Sequence, residues 1–174
     1  VYVLFMGDYA SAAPWNDSSV KGCRRFLERV FALQDIVVPE TVKALEAPLH
    51  KTIKKVSSDI EEQKFNTAIA ALMTFMNEVG REKKIGKEQL LSFVKLLNPF
   101  APHIAEEIYQ AQGGEGSLQL ASWPEYDEAK TVDDSIEIGV QVNGKLRATV
   151  TIPTNCEKEE ALALAKADEK VQAA

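Results

Sequence analysis

Few side chains in this sequence could do chemistry, and most lack the company that chemistry needs. His103 stands in "PHIAEE". A zinc-binding helix needs His-Glu-x-x-His with both imidazoles one turn apart, and the second histidine is missing. His50, the other histidine, begins a basic helix, so both read as packing or capping residues. Glu106-Glu107 and Asp133-Asp134 are adjacent carboxylates, which diverge on a helix and come with no pocket for acid–base work. They read as solvated surface. No glycine loop cradles a phosphate, and "GGEG" at 113–116 follows a helix instead of opening one. The expectation is a chain with no catalytic residue and no metal ligand set.

What rises above this background is positive charge in restricted places. Lys21, Arg24, Arg25 and Arg29 occupy the non-apolar side of one helix, with only Glu28 opposing them locally, and Lys51, Lys54 and Lys55 do the same on a second. A third contributor is "GVQVNGKLRATV" at 139–150. A two-residue Asn143-Gly144 turn would set Val142 against Lys145 and mix apolar with cationic side chains on one side. A three-residue loop with Gly144 left-handed predicts instead the pairs Gln141–Lys145 and Gly139–Arg147. Ile138, Val140, Leu146, Ala148 and Val150 then share one face, and Lys145 and Arg147 project together from the other. The chain as a whole is acidic, with a formal charge of -6 and a pI near 5.1, which argues against indiscriminate polyanion binding. Any polyanion must meet a local patch.

The elements that hold these charges follow from the apolar period. Cys23, Phe26, Leu27, Val30 and Phe31 recur at helical spacing, with Asp17, Ser18 or Ser19 available as N-cap. After a connector at 37–48, Leu49, Ile53, Val56 and Ile60 predict a second long helix, with Pro48 at its first position. Asn66 can cap a third, carrying Ile69, Leu72, Met73, Met76 and Val79, which Gly80 can end. A fourth runs from Lys87 through Leu97, and Pro99 and Pro102 break it before Ile104 and Ile108. Helices with single apolar faces and short connections bury them against each other, so residues 1–116 are expected to be mainly an antiparallel helix bundle. Phe65, Ile69, Leu72, Met76, Leu97, Ile104 and Ile108 should form its core with Phe26 and Val30.

Period two begins at Ile136, after an acidic strap over 117–135 that contains Trp123-Pro124. Strand, strand and a helix near 157–167, capped by Thr154 or Asn155, make 136–174 a small, truncated α+β module. Cys23 and Cys156 lack any partnered spacing, which points to a reducing cytoplasm without disulfides. No apolar run reaches the roughly 20 residues that cross a bilayer. The start at Val1 in apolar sequence suggests a fragment of a longer protein.

Several stretches carry a family resemblance. "LFMG" with "APW" and "GCRRFLERVF", "LHKTIKKVSSDIEEQKFNTAIAALMTFMNE", "FVKLLNPFAPHIAEEIY", "WPEYD" and "VQVNGKLRATV" together resemble bacterial leucyl-tRNA synthetases, in order and spacing, over essentially the whole chain. "NPFAPHIAEEIY" and the "FNTAI" helix also have relatives in valyl, isoleucyl and methionyl enzymes. The hairpin after "WP" favours leucine.

The resemblance implies a class I enzyme that joins leucine to its tRNA with ATP and Mg. It also implies that the catalytic and editing parts lie upstream, so this fragment alone is non-catalytic and binds no cofactor itself. Residues 1–16 resemble the exit of the catalytic part, and Val1 to Phe5, strand-like by composition, would end a helix. The bundle is then of the anticodon-binding type, 136–174 is part of the C-terminal domain, and leucine tRNA is the partner. Arg24, Arg25, Arg29, Lys51, Lys54, Lys55, Lys145 and Arg147 are the candidate tRNA-binding residues, since RNA helices are met through phosphate and 2′-hydroxyl contacts. Two rivals stand beside this: the tail of a valyl or isoleucyl enzyme, and a helical protein-interaction module with no RNA role. The hairpin edge, left unpaired, is expected either to be mobile or to self-associate.

Overall fold

The computed structural model describes residues 1–8, 10–12, 15–132, 135–142, 145–153, 156 and 158–167; at 135–137, 142, 145–147, 151, 153, 159, 160 and 164 it describes the backbone alone. It divides into two units, Val1–Thr131 and Val132–Ala174. The first is helical: α1 (Tyr2–Phe5), α2 (Asp17–Phe31), α3 (Glu46–Glu61), α4 (Phe65–Glu82), α5 (Lys87–Leu97) and α6 (Pro102–Ala111).

The apolar spacing set the helix phases correctly. Val30, Val56, Ile69, Leu72, Phe75, Met76, Leu90, Phe93, Leu97 and Ile108 are all at most 2% exposed and share one core. Of the residues expected there, Phe65 and Ile104 are only half-buried, packed against its margin. The helix ends deviate more. Asn16, not a later serine or Asp17, caps α2, its Oδ1 accepting from the Ser18 and Ser19 amides. Pro48 lies inside α3, which begins two residues earlier at Glu46. Gly80 does not end α4; the helix runs on to Glu82 and stops where Lys83 turns left-handed, at φ 54°.

That turn feeds a small parallel pairing of β1 (Val37–Val38) with β2 (Ile85–Gly86). Buried Gln89 locks it, Oε1 accepting from the Val42 and Gly86 amides while Nε2 donates to the Val42 carbonyl. Gly86 is required here, because a Cβ would stand 2.6 Å from the Glu40 carbonyl oxygen.

The second unit holds an antiparallel ribbon of β3 (Ser135–Val142) and β4 (Lys145–Pro153), with α7 (Lys158–Ala167) packed on β4. The left-handed Gly144 expected after Asn143, and the helix cap expected at Thr154 or Asn155, lie outside the described residues. The register next to the turn differs from expectation: Val142 pairs with Lys145 and Gln141 with Leu146. An irregularity at Val140/Gln141 then leaves Arg147 without a Cα partner, and Val140 meets Ala148 and Ile138 meets Val150. A one-residue bulge restores the parity that a two-residue turn breaks, so Ile138, Val140, Ala148 and Val150 still share a face.

Candidate nucleic-acid interface

The basic side chains on α2 and α3 differ in what else they hold. On α2, Arg24 Nε lies 2.8 Å from Glu28 Oε1, one turn on, with both side chains exposed. Such a pair contributes little to stability and yields readily to a stronger anion. Arg25 is exposed and takes no side-chain ion pair or hydrogen bond among the described residues. Arg29 is a staple instead. Its Nη2 donates to the Met76 carbonyl at 3.2 Å and to Asn77 Oδ1 at 3.1 Å, tying α2 to α4. Opposite it lies Gly80, where a Cβ would make ordinary van der Waals contact with that same Nη2 at 3.8 Å.

On α3, Lys54 and Lys55 face acidic partners. Lys55 Nζ reaches Asp59 Oδ1 at 2.6 Å, and the Asp59 side chain is only 3% exposed. Its other oxygen has no hydrogen-bond partner. Lys55 is therefore the counter-charge of a buried carboxylate, and the surface reading of the sequence missed that role. Lys51 is exposed and is also engaged.

Lys54 belongs to a stripe. Glu46, His50, Lys54 and Ser57, spaced by four, four and three, lie along one side of α3, and the strap crosses them in the opposite direction. Lys130 Nζ meets Glu46 at 2.6 Å, and the Asp127 amide donates to His50 Nδ1 at 3.0 Å. Glu128 takes Lys54 with both oxygens, at 2.6 and 2.8 Å, and Trp123 Nε1 donates to Ser57 Oγ at 2.8 Å. The Lys54 amine also lies 5.7 Å from the centre of the Tyr126 ring. The hydrogen bond that Lys54 donates to Glu128 raises the Lys54 pKa, and the Lys130–Glu46 bond raises that of Lys130 and lowers that of Glu46. His50 thus serves as a backbone acceptor, the packing role the sequence suggested.

Glu106, expected to be solvated surface, organises the start of the strap. It accepts from Gln110 Nε2, the Leu118 amide and Ser117 Oγ, and these bonds, Gln110 first, hold its carboxyl below the usual range. Exposed His103 has no such function. The side chains of Lys145 and Arg147 lie outside the described residues; their backbones stand in β4, two residues apart. Glu128 and Asn77, which decide the fate of Lys54 and Arg29, lie 74 and 48 residues away in sequence. Among the described residues no group of three or more His, Cys, Asp or Glu is placed to hold a metal ion, and no helix is long and apolar enough to cross a membrane.

A helical bundle with basic side chains on α2, joined by a strap to a strand–strand–helix unit, is the setting in which the comparisons fall. The chain belongs to the family described as the anticodon-binding domain of tRNA ligase, which matches residues 43–162. Within that class its likeness is to leucine enzymes. It is 41% identical over 175 residues to the leucine–tRNA ligase of Alkaliphilus oremlandii (strain OhILAs), covering 99% of this chain and 22% of that protein. The fold is similar to that of a LeuRS from Agrobacterium radiobacter K84, solved in a ternary complex with tRNA and LeuAMS. There the TM-score is 0.72 with 32% identity, over 99% of this chain and 25% of that one. The chain thus spans about a quarter or less of the length of these relatives.

Proposed function

We propose that this chain is the tRNA-positioning region of a leucine–tRNA ligase, a cytoplasmic enzyme that joins leucine to tRNA using ATP and Mg. The observation that carries the reading is the identity to a leucine–tRNA ligase along 99% of the chain, reinforced by the likeness to a LeuRS solved with tRNA. The contribution we assign to this region is alignment. A synthetase must hold a long polyanion so that its acceptor end meets the activated amino acid, and a rigid bundle touching the backbone at a distance supplies that.

Within the bundle, Arg25 and the loosely paired Arg24 are the α2 groups we assign to phosphate contact, with Lys145 and Arg147 their counterparts on β4. Lys51 remains a candidate on α3. Arg29, Lys54 and Lys55 we assign to positioning, since each already holds a protein group. The unit Val132–Ala174 is, on this reading, part of the small C-terminal domain. The test is aminoacylation by the intact protein with leucine, valine and isoleucine and their tRNAs. Charging of leucine tRNA alone is expected; charging with valine or isoleucine would move the assignment to a sister enzyme, and no charging would return it to an interaction module.

A further inference from the structure

The connection between α4 and α5, "EKKIGK" at 82–87, breaks two local rules of chain construction within five residues. Lys83 sits left-handed at φ 54°, ψ 23°, a helix-ending position where glycine or asparagine is the unstrained choice. Lys87 is the first residue of α5, where the helix dipole disfavours a cation. Such breaches mark places held for something other than stability.

The platform beneath them is rigid. Ile85 pairs with Val37 and is fully buried, and the Gln89 clamp fixes Gly86 and Val42 on either side. Beside it opens a cleft of about 310 Å³ whose lining includes Lys43 and Lys84 together with Thr41, Glu40 and Glu82. Lys43, Lys83, Lys84 and Lys87 are all exposed and none makes an ion pair among the described residues, in contrast to Lys54, Lys55, Lys64 and Lys130. The carboxylates of Glu40, Glu82 and Glu88 stand near these four ammonium groups, and Glu46, held by Lys130, interacts with Lys43 at longer range. An amine that no carboxylate has claimed is free to release its counterion to a phosphate.

We infer that Lys43, Lys83 and Lys84, flanked by Lys87, form a second phosphate-backbone contact for RNA at the α4–α5 end of the bundle. The inference rests on the tRNA-positioning reading above and adds a site to it. A rigid presentation matters because a contact that only positions must hold its register without reading bases.

The test is binding of a leucine-tRNA transcript by the intact protein across a salt series. Lys43→Ala/Lys84→Ala is expected to weaken binding about ten-fold near 0.1 M salt and to reduce the slope of log K against log salt by about 1.5, as two lost contacts require. Lys83→Gly removes a cation while relieving the left-handed backbone, so it is expected to weaken binding a few-fold while resistance to unfolding rises. A merely structural loop would change stability without touching the slope. Unchanged affinity and slope in the double variant overturn the site, including the case in which these lysines face an acidic protein instead. Failure of the unaltered protein to bind the transcript at all overturns the underlying reading.

Discussion

Replacing Lys55 by Met isolates the buried carboxylate beneath it. Methionine keeps most of the aliphatic stem, so the change removes the ammonium and little packing. Asp59 is then left with a side chain 3% exposed, one oxygen already without a partner and the other newly deprived. Stripping one partner from a fully buried ion pair costs about 3–5 kcal/mol. Here the Lys55 side chain is 54% exposed, so water can enter along the path the amine vacates, and the cost should fall to about 2 kcal/mol. Urea unfolding, followed by helix signal and by Trp123 fluorescence, reads this directly, since the Trp123 indole donates to Ser57 on the same helix. Adding Asp59→Asn in the Lys55→Met background removes the orphaned charge, so the double variant should be more stable than the sum of single losses. A Lys55→Met protein within about 0.5 kcal/mol of the unaltered one, or two changes that simply add, would refute the reasoning. The tRNA affinity of the intact protein should not change.

Arg29→Ala should cost about 1–2 kcal/mol, because two hydrogen bonds from a charged donor to α4 are lost, and Arg29→Lys should recover only part of it; urea midpoints check this. The Glu106 pKa is lowered, so its stabilisation of the strap is present above the ordinary glutamate range and lost as pH falls through the lowered value. The Leu118 amide resonance should therefore shift only in acid, below the ordinary glutamate range, and should not shift in Glu106→Gln. Burial pushes the Cys23 thiol up, so a thiol reagent at neutral pH should label it only on unfolding, in step with loss of helix signal.

Much of the bundle was legible because burial of one face leaves a period in the sequence: Ile69, Leu72, Met76 and Val79 mark α4 without help from any other segment. Its ends were less so. Gly80 looked like a terminator by residue type, but termination required a left-handed residue, and Lys83 occupies that position at a cost no local pattern reveals. The hairpin faces were legible while the register was not, since a three-residue loop and a two-residue turn followed by a bulge give the same parity beyond the bulge. The cations were easy to see and hard to interpret. Charge read along one helix finds Glu28 beside Arg24, but Glu128 reaches Lys54 only through the path of the strap. The lysines at 83, 84 and 87 are flanked in sequence by Glu82 and Glu88, which hides their excess charge, though among the described residues no glutamate forms an ion pair with them.

The central claim is that this chain touches tRNA along its bundle. Lysine acetylation of the intact protein, mapped by mass spectrometry with and without saturating leucine tRNA, tests it most directly. The account predicts that tRNA slows modification of Lys43, Lys83 and Lys84 while leaving Lys55, held on its buried carboxylate, unchanged. If tRNA saturates the protein and no lysine between residues 1 and 131 changes its reactivity, the bundle does not touch the RNA.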